Sequence, residues 1–123
     1  MRSINQYVGD RGEAAVAQWY REQGYEVLGT NVRVGRNELD LICRTALETV
    51  FVEVKTVRDD EYGHPVYKVD RFKRRAIVQA TRRWLLGHPQ GKRGVRFDIV
   101  TVDAANHPPE IDHIPAAFTA DDT

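Results

Sequence analysis

The chain has 123 residues, 41% of them hydrophobic and 29% charged, with 18 Lys and Arg balancing 18 Asp and Glu. That length holds about one domain, and that composition excludes a wholly disordered chain. No run approaches the roughly 20 apolar residues that span a bilayer, the lone Cys43 cannot form an internal disulfide, and so few His and Cys argue against a zinc cluster.

The opening MRSINQYVGDRGE lacks the apolar stretch of a secretory signal, so a cytoplasmic location with no membrane contact is expected. From Ile4 to Gln23 the residues Tyr7, Val8, Ala15, Trp19 and Tyr20 recur at helical spacing. Gly9 and Gly12 weaken the first turns of that helix, and Gly24 is its C-terminal cap. YEVLGTNV (25–32) is a short first strand. NELDLICR (37–44) alternates with period two, Glu38, Asp40 and Ile42 on one side and Leu39, Leu41 and Cys43 on the other. TVFVEVKT (49–56) sets Val50, Val52 and Val54 against Phe51, Glu53 and Lys55. The connection TALE is short enough for a hairpin. Pairing Arg44 with Thr49 then places Asp40 opposite Glu53 and Glu38 opposite Lys55, and like charges so opposed are destabilising unless something neutralises them.

RDDEYGHPVYKV reads as a loop. Asp70 caps a helix running to about Leu86, with Phe72, Ala76, Ala80 and Trp84 as its apolar stripe and Arg71, Arg75 and Arg82 on another side. Gly87 and Pro89 stop it. The net charge is zero, yet from Lys68 to Arg96 the basic residues are opposed only by Asp70, and no Lys or Arg follows Arg96. VRFDIVTV is the last expected strand, reached by a right-handed crossover and parallel to an earlier one. On it Asp98 shares a face with Arg96, which points to a structural salt bridge. AANHPPEIDHIPAAFTADDT is Pro-rich and expected to be irregular, with Ile111, Ile114 and Phe118 as anchors. The order αβββαβ implies an α/β fold with a mixed central sheet flanked by helices, one domain over residues 1–118 and a flexible tail over 119–123.

Asp40 and Glu53 are the carboxylates a hard divalent cation such as Mg²⁺ takes, and the backbone carbonyl of Val54 offers a third oxygen. Lys55, two residues beyond Glu53 on the same face, is suited to orienting or deprotonating an attacking water, or to stabilising charge on a phosphoryl group. The competing explanation is an ion pair of Lys55 with Asp40 or Glu53 at a wet sheet edge, worth only about 0 to 1 kcal/mol.

GDRGEAAVAQWYREQGYEVLGTNVR, NELDLI, VFVEVKT, YG, VDRFKRRAIVQA and RFDIVTV, in that order, resemble the bacterial UPF0102 or YraN family. That family is similar to restriction-endonuclease-like nucleases with a PD-(D/E)xK site, archaeal Holliday junction resolvases among them. The resemblance implies a restriction-endonuclease-like core. It makes Asp40 the metal-binding Asp, Glu53 the second acidic ligand and Lys55 the catalytic lysine, with Mg²⁺ or Mn²⁺ as cofactor. Glu13 becomes a further ligand or water-holder, and Glu38 a partner to Lys55 or a peripheral ligand. Lys73, with Arg71, Arg74 and Arg75, becomes a contact to phosphates flanking the scissile one, and Tyr62 and Tyr67 become candidates for base stacking. Two departures stand out: Asn37 occupies the place of a family Gly, and Thr56, Val57 and Arg58 follow Lys55 where an Arg is expected sooner. The implied activity is DNA cleavage, including branched DNA, by a homodimer. The alternatives are a non-catalytic nucleic-acid-binding or adaptor module, and a protein-interaction domain with a vestigial site.

Overall fold

The computed structural model describes residues 4–57, 69–103 and 108–123, with side chains from residue 12 onward. In chain order the elements are α1 (Ile4–Glu22), β1 (Glu26–Val34), β2 (Asn37–Arg44), β3 (Glu48–Thr56), α2 (Arg71–Gly87), β4 (Gly94–Asp103) and β5 (Glu110–Phe118), then a short 3₁₀ turn, Ala120–Asp122. They form the expected α/β architecture. The sheet runs β1-β2-β3-β4-β5, with β3 and β4 parallel and every other pair antiparallel. This mixed sheet with its two helices is consistent with a restriction-endonuclease-like core.

α1 ends where Gly24 takes φ +93, and the amides of Gly24 and Tyr25 return to the carbonyls of Arg21 and Tyr20 at 3.0 Å each. Its inner face, Val16, Ala17 and Tyr20, packs on Leu41, Cys43, Val50, Val52, Val100 and Val102. Burial pushes the Cys43 thiol up to about 12, so it behaves as a small apolar side chain. Gly12 is needed for packing, since a Cβ there would stand 2.8 Å from Val102 Cγ1 and 3.1 Å from Thr56 Oγ1.

α2 starts at Asp70, whose carboxylate accepts from the Lys73 amide at 2.9 Å. Its buried residues are Ile77, Val78, Ala80 and Thr81, which pack over Ile42, Phe51, Phe97 and Ile99. Phe72 is not part of that face and is 77% exposed. Steps of four advance 40° beyond a full turn each, so a stripe from residue 72 to residue 84 rotates away from any one neighbour.

Between β2 and β3, Thr45 Oγ1 accepts from the amides of Leu47 and Glu48 at 3.2 Å, which closes the short connection. The register is the expected one, Arg44 with Thr49 through Leu41 with Val52. The alternation along β2 is less regular than the sequence suggests. Leu39 joins Ile42 under α2 while Leu41 and Cys43 face α1, beside a left-handed Asn31 (φ 51) on β1. Asn37 needs no left-handed geometry: it begins β2 paired with Val34, and Gly35 (φ +61) makes the turn.

The segment expected to be irregular contains β5, which pairs with β4 from Asp103 opposite Glu110 to Phe97 opposite Phe118. At the outer edge of the sheet a strand tolerates Pro115. Ile111, Ile114 and Phe118 do anchor it, Ile111 on the α1 side and the other two on the α2 side. Among the described residues no helix is long and apolar enough to cross a membrane.

Candidate active site

β3 is the middle strand of five, and Glu53 on it is only 5% exposed. A wet sheet edge therefore does not account for this carboxyl. Past Leu41 and Val52 the backbone ladder gives way to a side chain, where Asp40 Oδ2 accepts from the Val54 amide at 2.9 Å. That bond fixes the Asp40 carboxyl, whose charge falls on the neighbouring Glu53.

Two ammonium groups converge on the same oxygen: Lys55 Nζ lies 3.7 Å and Lys73 Nζ 3.8 Å from Glu53 Oε1. Burial raises the Glu53 carboxyl to about 7, the neighbouring Asp40 charge adds to that rise, and Lys73 and Lys55 oppose it. Asp40 is also raised, chiefly by burial, against the Val54 hydrogen bond and the Lys73 charge. Among the described residues no group of three or more Asp, Glu, His or Cys forms a cation cluster. A metal at this point would rest on Asp40 and Glu53, with backbone, water and substrate oxygens completing its shell, which is how Mg²⁺ is commonly held.

The sequence profile described as "Uncharacterised protein family UPF0102" matches residues 12–102. The chain belongs to the UPF0102 family. It is 40% identical over 116 residues to a UPF0102 protein of Anaeromyxobacter dehalogenans, covering 94% of this chain and 87% of that one. It is 35% identical over 114 residues to a UPF0102 protein of Geobacter metallireducens, covering 93% of each. A Nocardia farcinica UPF0102 protein is 40% identical over 114 residues, covering 92% of this chain and 90% of its own.

In this UPF0102 chain the outlying expected residues separate. Glu38 turns the other way, facing Arg33 on β1 with Oε2 4.0 Å from Nη1, and it adds to the negative field on Asp40. The hairpin ladder stops short of the Glu38 level, which frees Lys55 to turn to Glu53 on its own strand. Glu13 is half-buried on α1, one residue after the Gly12 contact with Thr56, near the end of β3 that carries Lys55.

The basic stretch divides in the same way. Arg71 and Arg75 are exposed. Arg74 turns inward, its Nε donating to the Val69 carbonyl at 2.8 Å and its guanidinium 5.7 Å above the Phe118 ring. It stands three and four residues before Ile77 and Val78, on the stripe that faces the sheet, which removes it from an outward phosphate clamp. Lys73 points into the carboxylate site instead of flanking it. Arg58, Tyr62, Tyr67 and Lys68 lie outside the described residues.

The Asp98 cluster extends beyond the salt bridge with Arg96 expected from the sequence. Asp98 is fully buried and takes, besides Arg96, hydrogen bonds with Tyr20 Oη and His113 Nε2 at 2.8 Å and with the Ala116 amide at 3.0 Å. Arg96 also reaches Glu48 Oε1 at 3.1 Å and Tyr25 Oη at 2.9 Å. Every polar atom of the Asp98 carboxylate is thus committed to holding α1, β4 and β5 together, a structural role.

Proposed function

We propose that this chain is a Mg²⁺- or Mn²⁺-dependent nuclease hydrolysing phosphodiester bonds in DNA, with branched DNA as the first substrate class to test. The observation that carries the reading is a buried carboxyl on a central strand, Glu53, held against Asp40 with two ammonium groups on one of its oxygens. Burial and mutual repulsion oppose charging both carboxyls. A hard divalent cation between them would remove that conflict, so the donor set fits the ion; Asp40 and Glu53 would hold it, with the Val54 carbonyl as a third protein oxygen and Glu13 as a further ligand through water. Bound there, the cation lowers the pKa of a water ligand and polarises the phosphodiester.

The chain's own residues supply the rest. Asp40 is oriented by the Val54 amide, which keeps its free lone pairs on the site. Lys55 orients the attacking water and stabilises charge on the phosphoryl oxygens. Exposed Arg71 and Arg75 contact neighbouring phosphates, which carry no sequence information, so recognition rests on nucleic-acid shape. Paired cuts across a junction call for two copies of the chain, and light scattering reads whether it is a homodimer.

A second reading, a non-catalytic nucleic-acid-binding module, draws on the exposed Arg71, Arg75 and Arg82 of α2. It requires salt-sensitive binding that ignores both metal and Glu53→Gln. The two are separated by a cleavage assay with Mg²⁺ and Mn²⁺ on labelled duplex, single-stranded, flapped and four-way DNA. Metal-dependent cutting by the parent and none by Lys55→Ala is the expected result. Equal cutting by both proteins sinks the mechanism, and metal-indifferent binding without cutting selects the module.

A further inference from the structure

Lys73 has no counterpart in the two-strand arrangement that Asp40, Glu53 and Lys55 make, and two features place it deliberately. Its backbone amide is the one that Asp70 caps, at 2.9 Å, so the first turn of α2 is pinned at this residue. Its ammonium then reaches across to β3 and stops 3.8 Å from Glu53 Oε1, the atom that Lys55 approaches to 3.7 Å.

One carboxylate oxygen cannot keep two ammonium groups once a divalent cation takes it, because cation and ammonium repel at that range. Lys55 is on the same strand as Glu53 and is less exposed, 30% along its side chain. Lys73 is 44% exposed along its side chain and stands on a separate element, free to follow an anion arriving from solvent. We infer that Lys73 is a second catalytic lysine, which leaves Glu53 for a non-bridging oxygen of the scissile phosphate and stabilises the charge that grows there in the transition state. The inference rests on the nuclease reading above and changes what Lys73 does within it, from a flanking clamp to a group at the reacting phosphorus.

The two roles separate in one set of measurements on Lys73→Met and Lys73→Arg, both first checked for parental melting temperature. A transition-state role lowers the single-turnover rate at saturating DNA by about 100-fold or more in Lys73→Met, with partial recovery in Lys73→Arg. Affinity is read separately, by fluorescence anisotropy in Mg²⁺ on uncut DNA, comparing Lys55→Ala with Lys55→Ala/Lys73→Met. A shift under about threefold there is expected, since the interaction forms mainly as charge develops. An unchanged single-turnover rate with weakened affinity overturns the inference and restores the clamp, leaving the nuclease reading intact. A parent protein that cuts none of the DNA substrates overturns both.

Discussion

Arg96 donates to both carboxylate oxygens of Asp98, Nε to Oδ1 and Nη2 to Oδ2, each at 2.8 Å. Burial by itself would raise the Asp98 carboxyl, but the bonds from Arg96, His113, Tyr20 and Ala116 outweigh it and hold the group below its ordinary 3.8. A carboxyl depressed in the fold contributes stability above its unfolded value, and that stability is lost as pH falls through the folded value. Acid unfolding of the parent should thus steepen below about pH 3.8, and Asp98→Asn should flatten that limb. At neutral pH the same variant takes the buried partner from Arg96, which keeps only Glu48, and should lose up to about 3 kcal/mol in urea unfolding.

Glu53 has the opposite sign. Its folded carboxyl is raised from 4.5 to about 7, so between those values the unfolded chain releases its proton first and stability declines as pH rises. Glu53→Gln should remove that decline in metal-free buffer. In the parent, Mg²⁺ or Mn²⁺ at 100 times its Kd should restore about 2.7 kcal/mol at pH 7.5, read as a higher melting temperature. The same ion should leave Glu53→Gln nearly unmoved.

Thr81 is buried on α2 at 2% exposure, and among the described residues its Oγ1 has no hydrogen-bond partner. Valine has the same shape without the hydroxyl. Thr81→Val should therefore stabilise the protein by about 1 to 2 kcal/mol, the desolvation penalty of an unpaired hydroxyl. A loss of stability in chemical denaturation would show that the oxygen is satisfied in solution.

Ala116 on β5 takes φ 48, and its amide donates to Asp98 at 3.0 Å. The left-handed region costs an L-residue with a Cβ about 1 to 2 kcal/mol, a penalty that glycine escapes. Ala116→Gly should raise stability by up to about 1 kcal/mol after the greater chain entropy of glycine is subtracted, measured by thermal unfolding.

Much of this was legible because it is local. The β2–β3 hairpin follows from period-two alternation and a short connection, and the pairing of Arg44 with Thr49 agrees with the register assumed for it. The helix boundaries at Gly24 and Asp70 follow from the chemistry of caps. β5 was hidden because an edge strand bears weak selection against Pro, and its pleat is interrupted opposite Asp98. The inward turns of Lys73 and Arg74 depend on how α2 rotates onto the sheet, which the sequence constrains only through a stripe that Phe72 blurs. Gly12 looks like a flaw in a helix until Thr56 and Val102 are seen against it.

The parallel pairing of β3 with β4 has a consequence for the order of events in folding. Two antiparallel strands joined by a short turn meet in about 1 to 10 μs, whereas β4 cannot find β3 until the intervening chain and α2 have been arranged. A hairpin that forms first should bring Asp40 and Glu53 together with only Lys55 to offset their charge, before Lys73 arrives. Refolding should accelerate when protons or Mg²⁺ quench that repulsion, and Glu53→Gln should fold faster than its parent at pH 7. The same two carboxyls that crowd one another in the finished protein should then act as a brake on its assembly.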